Sequence, residues 1–136
     1  MKRIMFVCKH NSRRSHMAEG FARQLGGNQV QVESAGLEAS QVDPLTIQVM
    51  SEASIDISQQ TSQALSEFNP EDFEVVISLC GCGVNLPPEW LSRDVFQDWQ
   101  LEDPAGSTIE TFRLIRDQVQ QRVITLLNDI DATAKS

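Results

Sequence analysis

The sequence predicts an α/β fold, a three-layer domain with a mostly parallel sheet of four strands and helices on both faces. Short apolar runs at Ile4 to Val7 and Val75 to Ile77 break off abruptly into polar residues, as buried parallel strands do. Stretches of helical periodicity alternate with these runs. A length of 136 residues, with 40% hydrophobic and 22% charged residues, suits one catalytic domain spanning 1–136 around one core.

The elements read off in order. Ile4 to Val7 is the first strand, and Cys8 follows it directly. From Ser15, the residues Ala18, Phe21, Ala22 and Leu25 recur at helical spacing until Gly26-Gly27 stops the helix. Val30 and Val32 alternate with polar partners and lead into Ser34-Ala35-Gly36, a second strand and turn. Asp43 then Pro44 reads as an N-cap with proline at the first helical position, opening a helix to about Ser54. A short helix is expected over 62–68, a third strand over 74–79 and a fourth over 94–99. Ser107-Thr108-Ile109-Glu110 has the form of a capping box. After it Phe112, Ile115, Val119, Val123, Leu126 and Ile130 form one apolar stripe, read as core packing. Packing is also the reading for Trp90 and Trp99.

Charge and cysteine content narrow the function. A formal net charge of -8 argues against nucleic acid or an anionic membrane as partner. Yet Lys2, Arg3, Lys9, Arg13 and Arg14 fall within the first fourteen positions, before any acidic residue, and a basic end on an acidic body suits a small anion. No stretch approaches the ~20 apolar residues of a membrane span, and Met1 to Val7 is too short for a signal peptide, so a cytoplasmic protein is expected. Three cysteines cannot form a fully paired disulfide framework, which points to chemistry instead.

Ligands of open parallel sheets bind beyond the carboxyl ends of the strands. Cys8, Cys80 and Asp103 each follow a strand and converge on that edge. Between Cys8 and the helix lie Lys9, His10, Asn11, Ser12, Arg13, Arg14 and Ser15, giving Cys-x5-Arg-Ser in a strand–loop–helix context. Such a loop can turn backbone N–H groups inward as an anion nest, helped by the positive end of the helix dipole. Arg14 can fork two charge-assisted hydrogen bonds onto a tetrahedral oxyanion. Asn11 is the loop residue most tolerant of positive φ. The groups that hold an anion also stabilise the Cys8 thiolate, and Ser15 is placed to donate to its sulfur. For His10 and His16 the expected roles are loop polarity and helix surface.

Cys8 to Arg14-Ser15, followed by His16-Met17-Ala18-Glu19-Gly20, then Ser34-Ala35-Gly36 and Asp103-Pro104, resembles the low-molecular-weight protein tyrosine phosphatase fold. Within that superfamily the chain is similar to the arsenate reductases, since Asn11 lies inside the loop and Cys80 follows the third strand. The resemblance implies a strand order of 2-1-3-4, Cys8 as nucleophile, Arg14 as clamp and Asp103 as general acid. It implies attack of Cys8 on arsenate, then attack of Cys80 on the Cys8 sulfur with release of arsenite. The enzyme would need an external thiol reductant and no tightly bound cofactor.

Cys80-Gly81-Cys82 can close only a tight disulfide, which strain would make readily reducible. In the thioredoxin-linked reductases of this resemblance the third cysteine lies seven residues beyond the second, where this chain has Pro87. The relay is therefore either Cys8 to Cys80 to Cys82 or a mixed disulfide with glutathione, with glutathione and glutaredoxin favoured over thioredoxin. No metal is expected: the cysteines lack a fourth ligand set, and at the potassium site of some such reductases, matched in part by Asn11, Glu19 and Ser34, Gln63 stands in for an acidic ligand. The alternative is a tyrosine phosphatase. Against it, Asp103-Pro104 is followed by Ala105-Gly106 rather than aromatic residues, and the chain has no Tyr; weak phosphatase side activity is expected either way. A non-catalytic phosphate-binding module with a Cys loop, as in phosphotransferase-system carriers, would leave Asp103 and two cysteines unexplained.

Overall fold

The computed structural model describes residues 2–10, 13–38, 40–79 and 86–135. Its sheet is built around β1 (Lys2–Cys8), in which Ile4, Met5, Phe6 and Val7 are all fully buried. Period two sends Ile4 and Phe6 into one apolar cluster and Met5 and Val7 into another on the opposite face, so this strand carries no polar side. β2 (Val30–Gly36) and β3 (Val75–Ser78) flank β1, and β4 (Val95–Asp98) lies beyond β3. All pairings are parallel and the order is β2-β1-β3-β4, as the resemblance implies. Val7 pairs with both Ala35 and Ser78, and Ser78 with Asp98, so the strands finish on one edge.

The two faces are covered unequally. On one side α1 (Arg14–Gly26), α2 (Pro44–Glu52) and α4 (Ile109–Lys135) pack Met17, Phe21, Met50, Phe112, Val119 and Val123 over Phe6 and Ile77. Trp99 joins this cluster, its ring tilted on Phe6 at 6.1 Å. The opposite face is closed by α3 (Pro88–Leu91), which inserts Trp90, and by single turns of 3-10 helix supplying Leu65 and framing Phe73. α1 lies so near Ile57 that a Cβ on Gly20 would come within 2.8 Å of the Ile57 Cγ2 methyl. It ends where expected, with Gly27 at φ 55 donating to Arg23 O.

Two expectations about these elements need correction. The helix expected over 62–68 is one 3-10 turn, Leu65–Glu67, because the Glu67 carboxylate accepts from Ala64 N at 2.7 Å and Pro70 holds Asn69 in extended backbone. Ala64 itself bridges to Gly36 in parallel fashion, a strand-like use of a segment with helical composition. At the start of α4, Thr108 rather than Ser107 is the capping residue, its Oγ1 accepting from Thr111 N at 3.4 Å. The α2 start is as predicted: Asp43 Oδ1 accepts from Leu45 N at 2.9 Å, with Pro44 next in the chain. Among the described residues no helix is long and apolar enough to cross a membrane.

Candidate active site

Cys8 is the last residue of β1 and Arg14 the first of α1, so the intervening loop is anchored at both ends by regular structure. Its first three carbonyls are engaged outside the loop. Cys8 O accepts from Leu37 N, Lys9 O from Glu38 N and His10 O from Ser62 Oγ at 3.2, 3.0 and 3.3 Å. At the start of α1 the N-cap, Arg13, makes no side-chain cap bond, and the first turn carries no acidic residue. With no acidic side chain in its first turn, the positive dipole end makes this terminus receptive to an anion.

The side chains around it are tightly connected. Cys8 is buried, and its Sγ lies 2.9 Å from Ser15 Oγ. The Arg14 guanidinium is buried too, with Nη1 donating to Leu101 O at 2.7 Å and Nη2 3.7 Å from Asp103 Oδ2. Arg14 Nε is buried with no hydrogen-bond partner among the described residues. An unpaired guanidinium donor in a buried position is costly, and a bound oxyanion would relieve that cost. Arg13 points elsewhere: its Nε donates to Asp103 Oδ1 at 2.9 Å and its Nη1 to Asp43 Oδ2 at 3.0 Å. Asp103 also accepts from Ala105 N at 3.1 Å. Burial opposes ionisation of Asp103, but the bonds from Arg13 and Ala105 and the field of Arg14 outweigh it and hold its carboxyl below the ordinary range. The Arg13 guanidinium is held above its ordinary value: burial opposes its charge, while hydrogen bonds to Asp103 and Asp43 more than compensate.

Cys8, Lys9, His10, Arg13, Arg14 and Asp103 thus line one small pocket at the sheet edge. Asn11, Ser12, Cys80 and Cys82 lie outside the described residues. Leu79, the last residue before Cys80, donates its N–H to Val7 O at 2.8 Å, beside the end of β1. Sequence reasoning missed Asp43 and Leu101. Asp43 carried a signal for its capping role only; its second oxygen reaches a side chain thirty positions away in sequence. Leu101 contributes a backbone carbonyl, which no residue type advertises.

His16 is corrected from helix surface to core, being fully buried. Gln60 Nε2 donates to its Nδ1 at 2.9 Å, and Glu19 Oε1 is 3.7 Å away. Glu19 is held by Ser34 Oγ and, at 2.7 Å, by Arg23 Nη2, which also donates to Val32 O. Here burial raises the carboxyl above its ordinary value and outweighs the lowering by Ser34 and Arg23.

The family model described as low molecular weight phosphotyrosine protein phosphatase matches residues 3–136. A glutaredoxin arsenate reductase of Synechocystis sp. is 58% identical over 130 residues, covering 96% of this chain and 99% of that protein. An arsenate reductase of Halalkalibacterium halodurans is 37% identical over 130 residues, covering 91% and 94% respectively. Among solved structures, an arsenate reductase in a phosphate-binding state superposes with a TM-score of 0.91 at 58% identity, covering 96% of this chain and 99% of that one.

Proposed function

The chain belongs to the low molecular weight phosphotyrosine protein phosphatase family, and from that membership and its site geometry we propose that it is a glutaredoxin-linked arsenate reductase. The observation that carries the reading is the placement of a buried cysteine sulfur 2.9 Å from Ser15 Oγ, in one pocket with Arg14 and Asp103. Support for reduction rather than hydrolysis comes from the high identity to a glutaredoxin arsenate reductase along nearly the whole chain.

In this reading the backbone of residues 9–15 and the Arg14 guanidinium hold arsenate, and Ser15 steadies the sulfur of Cys8. The Cys8 thiolate attacks arsenic(V); Asp103 gives its proton to the departing oxygen, which leaves as water. Cys80 then attacks the Cys8 sulfur. The sulfur–arsenic bond breaks, its electron pair passes to arsenic, and arsenite departs as a Cys8–Cys80 disulfide forms. Two thiols are oxidised as one arsenic is reduced. Cys82 or glutathione next attacks that disulfide, and glutaredoxin returns the enzyme to the thiol state. Leu79, which donates to Val7 O beside the end of β1 and directly precedes Cys80 in the sequence, supports Cys80 as the attacking thiol. The protein acts as one domain in the cytoplasm, where a glutathione pool is available.

Arsenate-dependent oxidation of glutathione in the presence of glutaredoxin tests the proposal. Wild type turns over, Cys8→Ser and Cys80→Ser do not, and disulfide mapping by mass spectrometry after one turnover places Cys82 in or out of the relay. Undiminished turnover in Cys80→Ser would remove the mechanism. Family membership supports a weak aryl phosphatase side activity that needs Cys8, Arg14 and Asp103 but neither Cys80 nor Cys82.

A further inference from the structure

We propose that Arg13 is a positioning residue for the proton donor: by bridging Asp43 and Asp103 it latches the Asp103 segment to the start of α2 and keeps the carboxylate on a guanidinium until an oxyanion arrives. The inference rests on Asp103 being the donor.

Three observations carry it. Arg13 is the N-cap residue of α1, yet its side chain takes no part in capping and runs instead to two carboxylates from separate segments, at 2.9 and 3.0 Å. The Arg13–Asp43 contact is sheltered, with side-chain exposures of 18% and 19%, so solvent screens it less than a surface pair, whereas Asp103, at 38%, keeps its end of the bridge open to solvent. Finally, Asp43 is itself fixed, because its other oxygen caps α2 through Leu45 N. The latch therefore has a rigid end at α2 and a working end at Asp103, whose segment is otherwise irregular.

A general acid must carry a proton when the leaving oxygen departs, but a carboxylate accepting from Arg13 and Ala105 N beside Arg14 favours the ionised state. The charged and titratable groups facing Asp103 across the pocket are Cys8, Lys9, His10, Arg13 and Arg14, with Asp43 acting through Arg13 and Glu102 adjacent in its own segment. In the pocket lining itself three cations, Lys9, Arg13 and Arg14, face Asp103 and the Cys8 sulfur. A bound oxyanion would change that balance by adding negative charge and drawing on the same guanidinium groups. Asp103 then takes up a proton from solvent as the anion binds, and by linkage the protonated carboxyl and the anion favour each other.

The test follows the Asp103 carboxyl resonance against pH by NMR in wild type, Arg13→Gln and Arg13→Lys, with and without inorganic phosphate, alongside the pH profile of arsenate turnover. In phosphate-free protein, Arg13→Gln should titrate Asp103 at higher pH than wild type, with Arg13→Lys between them because one ammonium keeps the charge without the fork. Phosphate should raise the wild-type titration more than that of Arg13→Gln. The descending limb of the kcat profile should move to higher pH in Arg13→Gln, a change that mere loosening of the fold would not produce. An Asp103 titration identical in wild type and Arg13→Gln overturns the latch. So does a rise in KM alone, with titration and profile unmoved, which would make Arg13 a direct anion ligand. If Asp103→Asn keeps full turnover and the same limb while the titration still responds to Arg13, the donor assignment falls and the latch contact stands.

Discussion

Two carboxylates meet arginines around α1, and they respond in opposite directions. Asp103, at the pocket mouth, accepts from Arg13 at 2.9 Å and is held below the ordinary range; Glu19, inside, lies 2.7 Å from Arg23 and is pushed above it. Proximity to a guanidinium does not separate them. Burial does: the Asp103 side chain is 38% exposed and feels two arginines, whereas Glu19 is 6% exposed and its partner Arg23 is 51% exposed, with its charge solvated. A carboxylate near water gains more from its partners than it loses by desolvation, and one removed from water loses more. The first keeps its charge on its partners at the pocket; the second ties α1 to β2.

Changes at the mouth should therefore cost turnover, and changes inside should cost stability. The largest effect is expected from Asp103→Asn, with kcat for arsenate reduction falling about 10²–10⁴-fold while the urea midpoint stays near wild type. A stability loss with intact turnover would place Asp103 with Glu19. Arg14→Lys should lower kcat/KM about 10²–10³-fold in the same assay, since one ammonium cannot reproduce the fork that reaches Leu101 O and the pocket. Glu19→Ala should leave kcat/KM within a small factor of wild type and cost about 1–3 kcal/mol in urea denaturation, because the buried Ser34 hydroxyl loses the carboxylate it donates to.

The smallest effect is in the pH dependence of stability, where the two sites should give opposite slopes. A depressed carboxyl contributes stability that is present above its unfolded value and lost as pH falls through the lower folded value. Wild type should thus lose its advantage over Asp103→Asn below the ordinary carboxylate range. A raised carboxyl carries a penalty at neutral pH that is relieved as pH falls through the raised value. Wild type should therefore gain on Glu19→Gln just above that range. Urea midpoints measured for the three proteins from pH 7 to acid would show parallel curves if burial were not the deciding factor.

The apolar rhythm of the chain was legible because it follows from chain geometry. Ile4 to Val7 alternates between faces at period two, and Phe112 to Leu126 recurs at helical period, whatever lies opposite. The Cys8 to Ser15 loop was legible for a similar reason, since all its residues fall within eight positions between a strand and a helix. The 62–68 segment was misread because a side chain, Glu67, satisfies the backbone there before a helix can propagate. His16 was misread because helix spacing alone does not show how far a second element, here the segment bearing Gln60, folds over the first.

By itself, then, the sequence determined the buried parallel strands, the apolar stripe of the long helix and the placing of Cys8 and Arg14 at the two ends of one short loop, because period, punctuation and residue type are local properties of the chain; a role for Asp103 came from the family resemblance alone. Only the tertiary structure decided how Asp103 and Glu19 behave, and that Asp43 is joined to the site through Arg13. The two carboxylates on Arg13 come from segments thirty and ninety positions away, and the balance of desolvation against attraction at Asp103 and Glu19 depends on where the packed segments leave each of them.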